Sequence, residues 1–196
     1  MRQSKLLTAA ITFSLLLVIV VGCDSQTQAP ASAPTPLPTP QTPVSELFTL
    51  TSQSFKDGEA IPERHWNSVC GKENISPELS WSGTPTGSKA FVLIVDDQDP
   101  APILHWVVYG IDTTHTGLPE GVQQTTTVVF GASGRGGIGW WGPCPRAGRP
   151  AHDYIFTLYA LSEQVTLSTG ATSVQLLEEI EDKVIDTAVL TGTAKQ

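Results

Sequence analysis

The stretch from Phe91 to Ile111, FVLIVDDQDPAPILHWVVYGI, constrains the fold more than any other. Two apolar runs, Phe91–Val95 and Trp106–Ile111, flank an acidic loop broken by Pro100 and Pro102. The runs are β-branched and aromatic and too short for helices, so they predict two neighbouring strands. The loop places Asp97 and Asp99 at one strand end, and His105 opens the next strand. A second polar stretch, Gly142–Tyr154 (GPCPRAGRPAHDY), follows later. The expectation is that the two stretches meet and form one small pocket for an anionic group.

The rest of the chain reads as strand material punctuated by turns. Glu46–Ser52 alternates as a first strand, Leu79–Trp81 is a short strand, and Thr125–Phe130 has high β-propensity. Tyr154–Leu161 is apolar on both faces and reads as a central strand. Asp57-Gly58, Gly83–Gly87 and Leu118–Gly121 are turn signals. One helix is convincing. Thr172 and Gln175 fit a capping box, and Leu176, Leu177, Ile180 and Val184 recur at helical spacing. Ala188–Leu190 reads as a last strand before a frayed tail. Many short strands, Gly/Pro turns and one late helix predict a mainly β fold, an antiparallel sandwich with a C-terminal helix and short peripheral helices.

The N-terminus has a different character. Arg2 and Lys5 precede an apolar run, Leu6–Val21, which is short for a membrane span and reads as a secretory h-region. It ends Val20-Val21-Gly22-Cys23, which resembles a bacterial lipobox with Cys23 as the lipidated residue. Acyl chains on Cys23 would replace residues 1–22 as the anchor, at about 0.8 kcal/mol per buried CH2. Residues 23–45 are rich in Pro, Thr, Ala and Gln and cannot bury enough surface to fold, so they read as a disordered, semi-stiff linker. Residues 46–196 then form one domain of ordinary size. The expected location is a bacterial membrane, on the outer face of the cytoplasmic membrane or facing the periplasm.

Net charge is −8, and removing a leader that holds Arg2 and Lys5 makes it more negative still. Such a surface argues against nucleic acid and against a broad grip on anionic lipid, so an anion site must be local. Cys70 and Cys144 remain in the domain. An exported chain can hold a disulfide, but their spacing alone fits a bridge or two free buried thiols.

Several motifs fail on inspection. Gly134–Gly139 formally matches G-x-G-x-x-G, but Trp140-Trp141-Gly142-Pro143 follows and opens no helix. Ser133 has Arg135 where a nucleophile elbow needs glycine. Cys144 lies between Pro143 and Pro145, a structural setting for a thiol that could otherwise pair with His152. Asp97, Asp99, His105 and His152 lack the close paired spacing of a zinc site, so no metal and no cofactor are expected. His65 and His115 read as surface or loop histidines without a role.

Asp97-Gln98-Asp99-Pro100-Ala101-Pro102, His105-Trp106, Gly142-Pro143-Cys144-Pro145 and His152-Asp153-Tyr154 together resemble the phosphatidylethanolamine-binding protein family, and within it the bacterial Raf-kinase-inhibitor-like branch. Asn74–Gly83 (NISPELSWSG) and Phe156–Leu161 (FTLYAL) support the resemblance, which runs in order over residues 46 to 192. It implies a β-sandwich with a pocket near one end for phosphate-like and phosphoethanolamine-like groups. Carried over by motif, the wall holds Asp97, His105, Gly142, Pro143, His152 and Tyr154, with Asp99 nearby.

The chemistry of these residues fits an anion. Imidazole N–H groups of His105 and His152, the Tyr154 hydroxyl and main-chain amides near Gly142 are donors. Asp97 would fix a histidine tautomer and favour its charged form, and Asp99 would cap the turn. Two departures stand out. The family's Asp-Pro-Asp-Ala-Pro is altered around Gln98, and its His-Arg-Tyr reads His152-Asp153-Tyr154. Strand alternation turns Asp153 away from the pocket.

The leading expectation is thus a membrane-tethered binding protein for a small anionic or phosphorylated ligand, and not an enzyme. A protein-interaction or inhibitor module, with the loop around Trp140-Trp141 contacting a partner in the cell envelope, is the second reading. A weak phosphoester hydrolase using the same pocket is the third.

Overall fold

The two apolar runs form adjacent strands because each buries both faces. The structure, a computed structural model, describes residues 46–99 and 103–196. The leader, Cys23, the linker through residue 45 and Pro100–Pro102 lie outside the described residues. The strands in chain order are β1 (Thr49–Thr51), β2 (Leu79–Ser82), β3 (Ala90–Asp97), β4 (Ile103–Asp112), β5 (Gly117–Leu118), β6 (Val129–Phe130), β7 (His152–Leu161) and β8 (Val184–Ala194). One helix, α1 (Ser173–Ile180), precedes β8, and two 3-10 turns cover Glu63–His65 and Ser68–Cys70. A small sheet runs β1-β2-β5 and a large one β6-β4-β3-β7-β8, with every strand pair antiparallel.

β3 lies at the centre of the large sheet, and its two faces feed different cores. Phe91, Leu93 and Val95 point toward the small sheet, where they join Leu50, Leu79, Trp81 and Leu118. The Trp81 and Phe91 rings meet edge to face at 5.4 Å. Ala90, Val92 and Ile94 point the other way, under Leu176 and Ile180 of α1. Double-sided burial explains an unbroken apolar run in an antiparallel sheet, where alternation is the usual pattern. β7 is interior too, between β3 and β8, and sends Tyr154, Phe156, Leu158 and Ala160 into the inter-sheet core.

Two bulges on β4 adjust the register. Leu93 pairs with Val108 but Phe91 pairs with Ile111, so β4 carries one extra residue there. Gly110, at φ 74°, supplies the left-handed conformation that this needs. Val95 then pairs with Trp106 and Asp96 with Leu104, which leaves His105 as a second extra residue.

The structure corrects three sequence expectations here. The helix ends at Ile180, and Val184 begins β8; the main-chain N–H of Lys183 closes a turn on Ile180 before the strand starts. The capping box itself is present, with Thr172 and Gln175 bonding each other's backbone. The expected frayed tail is strand, because residues 188–194 pair in register with β7 while Thr191 and Thr193 bond Gly58, Glu59 and Ile61 on the other side. Only Val129–Phe130 of the Thr125–Phe130 stretch is strand, since Thr125 turns back to donate to the Val128 carbonyl.

Candidate functional site

The end of the large sheet where β3 stops and β7 starts gathers the polar residues. Register alone makes the first pair: Asp97, last in β3, sits opposite Tyr154 of β7. His105 reaches the same place through its bulge, which re-aims a side chain that strict alternation would send to the other face. Its ring meets Tyr154 edge to face, with centroids 4.9 Å apart. His152 opens β7, two residues before Tyr154 and so on the same face. Asp153 between them is exposed and stands outside the cavity wall.

These residues line a cavity of about 530 Å³. Asp97 is buried and both of its oxygens are used. Oδ2 accepts from His152 Nδ1 at 2.8 Å, and Oδ1 accepts the Asp99 N–H at 2.9 Å. Asp97 therefore fixes a histidine tautomer and caps the turn at once. Asp99 in turn accepts, at 3.4 Å, from the main-chain N–H of Asp153. Burial, with the Asp97 carboxylate beside it, pushes the Tyr154 phenol well above the ordinary tyrosine value.

His105 departs from the expected role. Its Nδ1 contacts the carbonyl of Trp141, which can only accept, so Nδ1 carries the proton. Burial holds the ring below the ordinary histidine value and keeps it neutral. Its Nε2 is then an acceptor at neutral pH. His105 suits a hydroxyl or protonated oxygen on a ligand, not a bare anionic one.

Gly142 and Pro143 do not line the cavity, contrary to the sequence expectation. The Gly142 N–H donates to Asn74 Oδ1 at 2.9 Å, and the Pro143 carbonyl accepts from the Asn67 N–H at 2.9 Å. A Cβ on Gly142 would lie 2.1 Å from the His65 carbonyl oxygen. The missing side chain serves close main-chain packing, and the amide has no capacity left for a ligand. Asn74 holds this wall from a left-handed conformation, φ 57°, and its own Nδ2 donates to the Trp140 carbonyl.

Two further readings change. His65 is buried at 1% exposure and its Nδ1 donates to the Ile75 carbonyl, so it is a structural histidine. Trp140 is not an exposed contact. It is half-buried: its ring meets Trp106 edge to face, stacks on Phe156 and donates from Nε1 to the His65 carbonyl. Trp141 does reach the cavity wall.

Cys70 and Cys144 are joined in a disulfide, with Cα atoms 5.9 Å apart. The bridge ties the Ser68–Cys70 turn to the cavity wall, which Cys144 helps to line. Sequence reasoning missed the remaining wall residues that matter most: Arg135, Arg146 and Arg149. They are three of only eleven basic residues in a chain of charge −8. The signal was present, as two arginines within Pro145–Pro150 of an otherwise acidic chain. Among the described residues no group of three His, Cys, Asp or Glu side chains converges as a metal site.

Comparison with known proteins places this arrangement. The family model described as phosphatidylethanolamine-binding protein matches residues 51–195. A UPF0098 protein of Methanothermobacter thermautotrophicus is 40% identical over 149 residues, covering 73% of this chain and 95% of that protein. A Mycobacterium tuberculosis protein named as a lipoprotein, LppC, is 38% identical over 154 residues, covering 77% of this chain and 74% of its own. The crystal structure of E. coli YbcL, described as a new member of the mammalian PEBP family, superposes with a TM-score of 0.71 at 32% identity. That match covers 76% of this chain and 98% of YbcL.

Proposed function

The chain belongs to the phosphatidylethanolamine-binding protein family, and from that premise we propose that its cavity binds a small phosphate-bearing anion. The observation that carries the reading is a local inversion of charge. Arg135, Arg146 and Arg149 converge on the one cavity that also holds His105, His152 and Tyr154, in a chain of charge −8. Guanidinium groups match phosphate oxygens in pairs, and three exposed ones at the rim of a single cavity make a local positive patch on an acidic chain. His152, oriented by Asp97, presents Nε2, and His105 accepts from a protonated ligand oxygen.

The proposed role is binding without turnover. The Cys144 sulfur is held in the disulfide and cannot attack, and the Tyr154 phenol stays protonated. The Trp140 ring packs against Trp106 and Phe156, which favours a packing role for that residue over contact with a partner.

The proposal includes a lipid tether at Cys23, with residues 23–45 as the spacer. Its support is the Gly22-Cys23 pattern after an apolar leader, together with a relative named as a lipoprotein.

Titration calorimetry with inorganic phosphate and phosphoethanolamine tests the pocket, using the full chain in detergent. His152→Ala is expected to weaken binding at least tenfold and, because it strips the buried Asp97 Oδ2 of its partner, to lower the melting temperature without unfolding the domain. Unchanged affinity in that variant would refute the pocket, and release of phosphate from a phosphoester by wild type, lost in His105→Ala, would replace binding with hydrolysis.

A further inference from the structure

The cavity has a neighbour. A second one, of about 510 Å³, opens beside it, and Ile103 and Arg135 wall both. On one side it is bounded by the Ala132–Gly134 segment, on the other by Thr172 and Ser173 at the start of α1. Ser133 lines it at 7% exposure, and its Oγ has no hydrogen-bond partner. A buried hydroxyl left unpartnered is destabilising unless something completes it. The Thr172 side chain accepts from the Gln175 N–H, which leaves the amides of Ser173 and Val174 without an intrahelical partner. That end of a helix favours negative charge.

The charges of the main cavity also lack partners. Among the described residues, none of Arg135, Arg146 and Arg149 meets a carboxylate within 4.0 Å. Asp97 is occupied by His152 and by the Asp99 amide. Asp97 and Asp99 are the two carboxylates of the wall, and three guanidiniums outnumber them. A zwitterionic headgroup would bring an ammonium into this surplus of positive charge. A ligand with additional negative charge would complement it.

We infer that the ligand carries two linked phosphates, an organic diphosphate or bisphosphate: one sits with Arg146, Arg149 and His152, and Arg135 directs the second into the cavity of Ser133 and Ser173. This rests on the phosphate-binding reading above and narrows it to a class. Arg135 is then the residue that sets specificity, because it alone among the cations borders both spaces.

Calorimetry on the full chain in detergent, at fixed ionic strength, compares pyrophosphate, inorganic phosphate and phosphoethanolamine. Wild type is expected to bind pyrophosphate at least tenfold more tightly than either of the others. Arg135→Ala removes that preference, lowering pyrophosphate affinity at least tenfold more than inorganic phosphate affinity. Arg64→Ala, the same loss of charge at a surface pair with Glu120, leaves the preference intact. Ser133→Ala lowers pyrophosphate affinity more than phosphate affinity. Phosphoethanolamine binding as tightly as pyrophosphate, or a preference that survives Arg135→Ala, overturns this inference and leaves the pocket standing. Failure of all three probes to bind overturns the pocket and this inference together.

Discussion

Replacing Gly142 by alanine separates two roles that the sequence alone could not distinguish. If the residue were glycine so that a ligand could approach its amide, Gly142→Ala would weaken anion binding and leave stability almost untouched. The structure argues the reverse. The added Cβ would lie 2.1 Å from the His65 carbonyl oxygen and 2.9 Å from both the Asn67 nitrogen and the Trp66 carbonyl carbon. All three are main-chain atoms and cannot swing aside. Their segment is held by His65 N–H to the Pro62 carbonyl, Trp66 N–H to Glu63 and Asn67 N–H to Pro143, at 2.9 to 3.0 Å. Relief needs a shift of about 1 Å between two pinned strands of chain, an overpacking cost of roughly 1–3 kcal/mol. The same shift breaks the Gly142–Asn74 and Asn67–Pro143 hydrogen bonds, worth about 1 kcal/mol each. The total is about 3–5 kcal/mol, or a melting temperature lower by roughly 10 °C for a domain of this size. Urea and thermal unfolding followed by tryptophan fluorescence measure it directly, and Trp66 and Trp140 report from the affected wall. A variant as stable as wild type but deficient in phosphate binding would refute the packing argument and return Gly142 to the ligand.

Two further outcomes follow from the same geometry. The Cys70–Cys144 bridge spans 74 residues of sequence, so its removal in a Cys70→Ser, Cys144→Ser double variant is expected to cost about 4–5 kcal/mol in the chain-entropy model. Equal urea midpoints for wild type with and without a thiol reductant would count against that figure. Burial holds His65 and His105 below the ordinary histidine value in the folded chain. The unfolded chain therefore takes up protons that the folded one resists once pH falls below about 6.5. That contribution is complete above this pH and is lost as pH falls through the folded values. Urea unfolding at pH 7.5 and 5.5 is expected to show the lower stability at 5.5, and a pH-independent midpoint over that interval would contradict the burial of both rings as neutral groups.

What was legible in the amino-acid sequence was whatever depends on near neighbours. The β-branched runs of Phe91–Val95 and Trp106–Ile111, the Thr172–Gln175 capping box and the alternation that sends Asp153 outward each involve residues within a few positions of one another. Motif resemblance carried the fold further, because several short segments agreed in order. It also drew attention to Asp97, His105, His152 and Tyr154, which do converge. Tertiary structure decided the rest. Gly142 looks the same in a sequence whether it faces a ligand or the His65 carbonyl, and only a contact between residues 77 positions apart tells them apart. Whether His105 donates or accepts depends on the Trp141 carbonyl at the end of a distant loop. Arg135, Arg146 and Arg149 carry no periodicity that marks a site; they become one because β4, β7 and the loop between them close around a common space. Local order is written in adjacent residues, whereas the charge and hydrogen-bonding capacity of a cavity belong to groups that meet only once the chain has folded.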